Sequence, residues 1–329
     1  MTGMLLAADV GGTKTLLGLF ARAPERPRRI EVGEFITLDY DNLAPMIREF
    51  LKANGVEPRA IEAASFGVAG AVTDQVARMT NVPWVVDAAA VSQAAGLRRV
   101  HVINDLEAMA FSVSVLEPEE LAILQQGVAQ PSGNGAVIAA GTGLGQAYLH
   151  RIDGRLTAMA SEGGHGDFAA RTDREMAFVR MLRDLYGRAE VEHVLSGPGL
   201  LNLHRFTHDG HDCDAVDRTD LLDAPAQVTR NALEGRCASC ADALAMFVEA
   251  YGAEAGNLAL RGVATSGVFV GGGIAPKILP AMRDGRFIDA FRAKGAFSEL
   301  AAQIPVHVIL APDAGLLGAA VAAQALSSS

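Results

Sequence analysis

The chain has 329 residues, of which 50% are hydrophobic and 20% charged, with a formal net charge of -10. That length accommodates two domains, each with its own core, and the balance is that of a soluble globular protein rather than a disordered one. With an acidic excess and no Lys/Arg-rich run, the chain lacks the basic footprint of a nucleic-acid binder, and an anionic membrane surface would repel it.

The opening stretch Met1–Ala8 is apolar but lacks a basic flank and a cleavage site, so it does not read as a signal peptide. Ala314–Leu326, the longest apolar stretch, falls short of a spanning helix. Three cysteines, Cys213, Cys237 and Cys240, cannot all pair, and reduced thiols in a cytoplasmic protein are expected.

In chain order, Met4–Ala8 reads as a buried strand. The Gly11-Gly12 turn, read as a tight backbone bend, returns it into a second strand over Thr15–Phe20. A third strand is expected over Ile30–Leu38 and a helix over Leu43–Lys52. A short buried strand follows over Ala63–Val68, then another over Arg99–Ile103, after which Asn104-Asp105 caps a helix running to Val115. Consecutive hairpin-linked strands differ from a Rossmann opening, where a helix follows the first Gly turn.

A turn cluster at Pro131–Gly135 begins a second unit with the same plan: strand Ala136–Ala140, Gly turn Gly141–Gly145, returning strand Gln146–Arg151. From Asp173 to Leu260 the chain reads as mostly helical, interrupted by a polar loop over Thr207–Asp220. A late strand over Gly267–Val270 runs into Gly271-Gly272-Gly273, with a helix expected from Pro276. Strand Val306–Leu310 and helix Asp313–Leu326 close the chain. Strands and helices alternate throughout, so the class is α/β.

Three Gly turns after strands are candidates for an anionic ligand. At Asp9-Val-Gly-Gly-Thr-Lys14, backbone N–H groups can face a phosphate, with a hydroxyl and a cation beside them; Asp9 could hold Mg²⁺ through water. The plain alternative is a hairpin turn, and the absence of GxxxxGK[ST] excludes a P-loop. Gly141-Thr142-Gly143 is the second candidate. Gly271-Gly272 is the third, with a tight βα connection as its ordinary reading.

Asn104-Asp105 is either a simple N-cap or places Asp105 as a general base, since a helix N-terminus keeps a carboxylate ionised. Glu162 and His165 flank a flexible turn and could bind neighbouring hydroxyls. Cys237-x-x-Cys240 looks like half a metal or redox motif, but its helical surroundings and lack of a second pair favour structural thiols. His204, His208, His211 and Cys213 gather around the polar loop and receive no role.

Taken in order, Asp9–Thr13, Ile103-Asn-Asp105, Gly141–Gly145, Ser161–His165, Glu192–Gly199, Val270–Ile274 and Gly315–Gly318 resemble the bacterial glucokinases of the actin-like, hexokinase-related superfamily. The resemblance implies a two-lobed actin-like (ribonuclease H-like) ATPase fold with its active site in the cleft between the lobes. The small domain would comprise residues 1–109 and 310–329, the large one 110–309. It implies ATP-dependent phosphorylation of glucose, with phosphates at Asp9, Gly11, Gly12, Thr13, Lys14, Gly141, Thr142 and Gly143, and adenosine near Gly271 and Gly272. Asn104, Asp105, Glu162, His165 and Glu192 would line the sugar pocket, Asp105 as the base. Position 14 is Lys where some glucokinases carry another polar residue. Related repressor–kinases carry a zinc-binding Cys/His cluster that is not found near Glu162–His165, so Mg²⁺ and no zinc is expected. The expected partners are glucose and ATP, with a homodimer as the assembly considered, and neither nucleic acid nor membrane. Rival readings are a kinase for another hexose or an amino sugar, a non-metabolic actin-like ATPase, and a repressor. The first strand starts too early to leave room for a repressor's helix-turn-helix.

Overall fold

The computed structural model describes residues 3–79, 82–152, 155–209, 211, 213, 216–217, 220 and 223–327, so part of the polar loop expected over 207–220 lies outside the described residues. Its strands are β1 (Met4–Val10), β2 (Lys14–Ala21), β3 (Arg28–Ile36), β4 (Ile61–Val68), β5 (Val72–Thr73), β6 (Val76–Arg78) and β7 (Val85–Asp87). After them come β8 (Val100–Asn104), β9 (Leu121–Gln125), β10 (Gly135–Ala140), β11 (Leu144–Ile152), β12 (Arg155–Ser161), β13 (Gly267–Gly271) and β14 (Val306–Ile309). The chain forms two units: Met1–Glu117 with Arg155–Ala160 and Ala311–Ser329, and Pro118–Gly154 with Ser161–Leu310.

The first unit is built on a five-stranded sheet in the order β3-β2-β1-β4-β8. β1 pairs antiparallel with β2 and parallel with β4, and β4 pairs parallel with β8. Along β1 the side chains alternate between two cores, as a period of two demands. Leu6, Ala8 and Val10 join Met46, Ile47 and Phe50 of helix Leu43–Ala53, while Leu5 and Ala7 join Leu316, Ala319 and Ala320 of helix Ala314–Ser327. Asn42 starts the first of these helices by accepting the Ala44 N–H at 3.1 Å. A small β5-β6-β7 sheet and helix Ala88–Ala95 fill a stretch for which the sequence suggested no elements.

In the second unit the strands run β11-β10-β13-β14-β9, with β10, β13 and β14 mutually parallel. Helix Ala238–Gly262 is the centre of its core. Phe247, Tyr251, Ala255 and Leu258 are all fully buried there, with Phe287 and Phe291 against them. Two sequence expectations need correction. Gly271–Gly273 runs into turns rather than a helix at Pro276, and the helix that follows is a single turn over Leu279–Met282. Gly11 and Gly12 are not among the residues in the left-handed region, so the first turn bends without using that freedom; the close approach of Lys14 O to Gly11 is what restricts the side chain there.

Candidate active site

In the first unit, the parallel register sets Asp9 beside Gly67 and Val68 beside Asn104, so β1, β4 and β8 end along one edge. Ligands of parallel α/β sheets bind outside such carboxyl edges. The Asp9–Thr13 turn leaves that edge from β1, and Asn104-Asp105 leaves it from β8 into helix Asp105–Ser112.

Thr37 braces the first turn. Its N–H donates to Thr13 O at 3.0 Å, and its hydroxyl donates to Gly11 O at 2.8 Å. Burial lifts the Asp9 carboxyl to about 6, against the pull of Lys14. Lys14 itself lies exposed and ion-paired with Glu34 at 2.9 Å, across the β2–β3 pair.

Asn104 is buried and nearly spent as a hydrogen-bonding group. Its Oδ1 accepts from the N–H groups of Leu106 and Glu107 at 2.9 and 3.2 Å, and its Nδ2 donates to Gly70 O at 3.1 Å. One amide N–H is left for a ligand. Asp105 Oδ1 accepts the Leu106 N–H at 2.9 Å, which anchors this carboxylate over the first turn of the helix.

In the second unit, Glu192 and the start of helix Gly197–Thr207 converge on the Gly141–Gly143 turn. β10 and β11 form the hairpin around Gly141–Gly143, closed by Gly141 N–H to Gly143 O at 2.9 Å. Glu192 Oε2 accepts the Leu144 N–H at 2.8 Å and stands where a Cβ on Gly143 would be only 2.6 Å away. The Gly197 N–H, at the start of helix Gly197–Thr207, donates to Gly141 O at 2.8 Å.

Glu162 and His165, both exposed, flank the short helix Gly163–His165. Its backbone is tied to the segment bearing Glu192 by Glu192 N–H to Gly164 O and Val191 N–H to Gly166 O, each 2.9 Å. His165 Nδ1 lies 2.9 Å from Glu190 Oε2. That hydrogen bond raises the imidazole above its ordinary range, with burial opposing and Glu192, Glu190 and Glu162 adding to it. Arg188 donates to the His165 carbonyl at 3.0 Å. Sequence reasoning passed over Glu190; its signal was a second carboxylate two residues before Glu192.

Gly272 needs glycine twice over: its φ is +83°, and a Cβ would come within 2.3 Å of Ala140 O. Ala140 is the last residue before the Gly141 turn, so the second and third Gly turns touch. Tyr251 joins them from below. Its fully buried hydroxyl accepts the Ala140 N–H at 3.1 Å and lies 3.3 Å from Gly271 O and 3.4 Å from Ile138 O. Burial keeps that phenol protonated. No sequence pattern marked Tyr251, because its partners lie more than a hundred residues upstream or twenty downstream.

A glucokinase family model matches residues 6–326. The chain is 37% identical to a glucokinase of Nostoc punctiforme, covering 98% of this chain and 99% of that one. Among solved structures it is similar to a glucokinase from an Antarctic psychrotroph, with a TM-score of 0.86, 29% identity, and 99% and 100% of the two chains covered. It shares its fold with a ROK family glucokinase from Streptomyces griseus solved with glucose and AMPPNP, at a TM-score of 0.64, 20% identity, and 98% and 100% coverage. By the family match and the near full-length identity, with strands ending on Gly turns in both units, this chain belongs to the glucokinase family.

Proposed function

We propose that this chain transfers the γ-phosphoryl group of ATP to the 6-hydroxyl of glucose, with Asp105 as the general base. The observation that carries the reading is the shared edge of the first unit, where the Asp9–Thr13 turn leaves β1 and Asp105 leaves β8, two parallel strands on either side of β4. The family supports the reaction, and the Streptomyces griseus protein holds glucose together with an ATP analogue.

Phosphoryl transfer is mostly positioning and charge neutralisation. In each unit a Gly turn would offer backbone N–H groups to phosphate, from Gly12 and Thr13 in the first and from Thr142 and Gly143 in the second. The Gly11 and Gly141 N–H groups are spent on Lys14 O and Gly143 O. Thr37 and Glu192 brace the two turns. Among the described residues, Asp9 has no hydrogen-bond or ion-pair partner, although it lies largely out of water. An acid so placed fits a cation: Asp9 would hold Mg²⁺ through water, and the ion would supply neutralisation of phosphate charge. Asp105 takes the 6-hydroxyl proton late in the transfer; its anchorage at the helix N-terminus favours the ionised form until then.

Glucose is selected by polar contacts. Asn104 gives its remaining N–H, Glu162 and Glu192 accept, and His165, held by Glu190, donates or accepts by protonation state. Leaving one such group unpaired costs about 1–3 kcal/mol, enough to separate epimers by roughly five- to 150-fold. No helix among the described residues is long and apolar enough to cross a membrane.

A coupled assay with ATP and a panel of glucose, mannose, fructose, glucosamine and N-acetylglucosamine tests the reading. Glucose is expected to give the highest kcat/KM. Faster turnover of another sugar would replace it as the substrate.

A further inference from the structure

Helix Gly197–Thr207 and helix Ala238–Gly262 meet at a cluster of imidazoles and thiols outside the groups assigned above. His204 and His208 are four residues apart, on one face of the first helix and its C-cap, with ring centroids 4.0 Å apart. Cys237 caps the second helix, its sulfur accepting the Cys240 N–H at 3.4 Å, so the C-x-x-C turn folds around its own thiols. Cys213 arrives from the intervening segment, its Sγ 3.9 Å from that of Cys237. Thr207 Oγ1 donates to Ser239 O at 2.9 Å, which joins the two helices at this level.

We infer that this cluster is a binding site for one zinc-type divalent cation, with His204, His208, Cys213 and Cys240 as ligands and Cys237 as an adjoining thiol. One donor atom from each of the four ligands lies within 4.8 Å of all the others. Tetrahedral zinc, with bonds of about 2.3 Å to sulfur and 2.0–2.1 Å to nitrogen, needs ligand atoms roughly 3.3–3.8 Å apart. Contraction by about an ångström closes the set, which is within reach of χ rotations. The H-x₃-H spacing of the two imidazoles is that of structural zinc sites, and Cys237, three residues before the ligand Cys240, stands beside the set.

The hydrogen bonding around His208 suits a soft cation. His208 Nδ1 donates to the His204 carbonyl at 2.7 Å, which leaves Nε2 as the unprotonated nitrogen, and Nε2 faces Cys237 Sγ at 3.4 Å. A backbone carbonyl on the far nitrogen is the usual way a metal-binding imidazole is oriented. Oxygen ligands are absent from the set, which excludes Mg²⁺ and sets this site apart from the proposed Asp9 position. The sequence-based expectation of no zinc followed from the lack of a Cys/His cluster beside Glu162–His165; this cluster is elsewhere in the second unit.

Full-length protein, purified under reducing conditions without chelator and incubated with Zn²⁺, should retain about one equivalent per chain by elemental analysis after desalting. Co²⁺ in its place should give the visible bands of a tetrahedral ion with a near-ultraviolet thiolate charge-transfer band. His208→Gln and Cys213→Ser, both at partly exposed positions, should each weaken Zn²⁺ binding about tenfold or more. Chelation of the wild type should lower Tm. Substoichiometric zinc, a cobalt spectrum without a thiolate band, or unchanged affinity in both variants would overturn the site. So would a native mass two hydrogens lighter with a Cys213–Cys237 disulfide in the reduced preparation. None of these readouts depends on sugar phosphorylation.

Discussion

Glu192 braces the Gly141–Gly143 turn: its Oε2 accepts the Leu144 N–H at 2.8 Å, one residue beyond Gly143. The carboxylate therefore has one oxygen committed to backbone and one available for a hydroxyl. Glu192→Gln keeps an acceptor for Leu144 and should melt close to wild type. Glu192→Ala leaves a partly buried N–H unpaired, a loss of about 1–3 kcal/mol, and should lower Tm by several degrees. Both should raise KM for glucose. Calorimetry with sugar kinetics checks the pair; equal melting of all three proteins would remove the turn-bracing role.

Asp105 is argued to move a proton and not to bind the sugar alone. Asp105→Ala should reduce kcat by about 10²–10⁴ while glucose affinity changes by less than about threefold. Equilibrium glucose binding alongside steady-state kinetics separates the two. Turnover near the wild-type rate would exclude Asp105 as the base.

Asp9 links function to a stability cost. Its folded carboxyl stands at about 6 against an ordinary 3.8, so between those values the native state keeps a proton that the unfolded chain has released. Stability from this group thus falls as pH rises through the window, and above pH 6 the full cost is present. Asp9→Asn should stabilise the free protein at pH 7.5 by on the order of 1–3 kcal/mol, less at pH 5, and abolish Mg²⁺-dependent turnover. Thermal melts at both pH values test the sign; a less stable variant at pH 7.5 would reverse the assignment.

Tyr251 is expected to act at a distance from the chemistry by fixing the spacing of two Gly turns. Tyr251→Phe leaves the Ala140 N–H without its acceptor in a dry core, at about 1–3 kcal/mol. KM for ATP should rise and Tm fall, with equilibrium glucose binding unchanged. An unaltered KM for ATP would show that the phenol serves packing only.

The local devices of this protein were legible in its sequence because they depend on near neighbours. The strand–Gly turn–strand plan at Asp9–Thr13 and Gly141–Gly143, the Asn104 cap, and helix Leu43–Ala53 follow from apolar period and turn chemistry. Partnerships across the chain were not legible, because no periodicity encodes them. Register alone put Asp9 beside Gly67, and antiparallel pairing of the 164–168 and 189–192 segments put Glu190 under His165. Tyr251 needed a 25-residue helix laid beneath the sheet before its hydroxyl could meet Ala140. Cys237, Cys240 and the histidines gave the same lesson: as sequence they were a half-motif and loop residues. Two helices packed side by side turned them into one cluster. The sequence by itself determined where the strand–Gly turn–strand hairpins fall. Only tertiary packing decided which side chains brace them, since bracing requires atoms brought within 3 Å from elements that the chain keeps far apart.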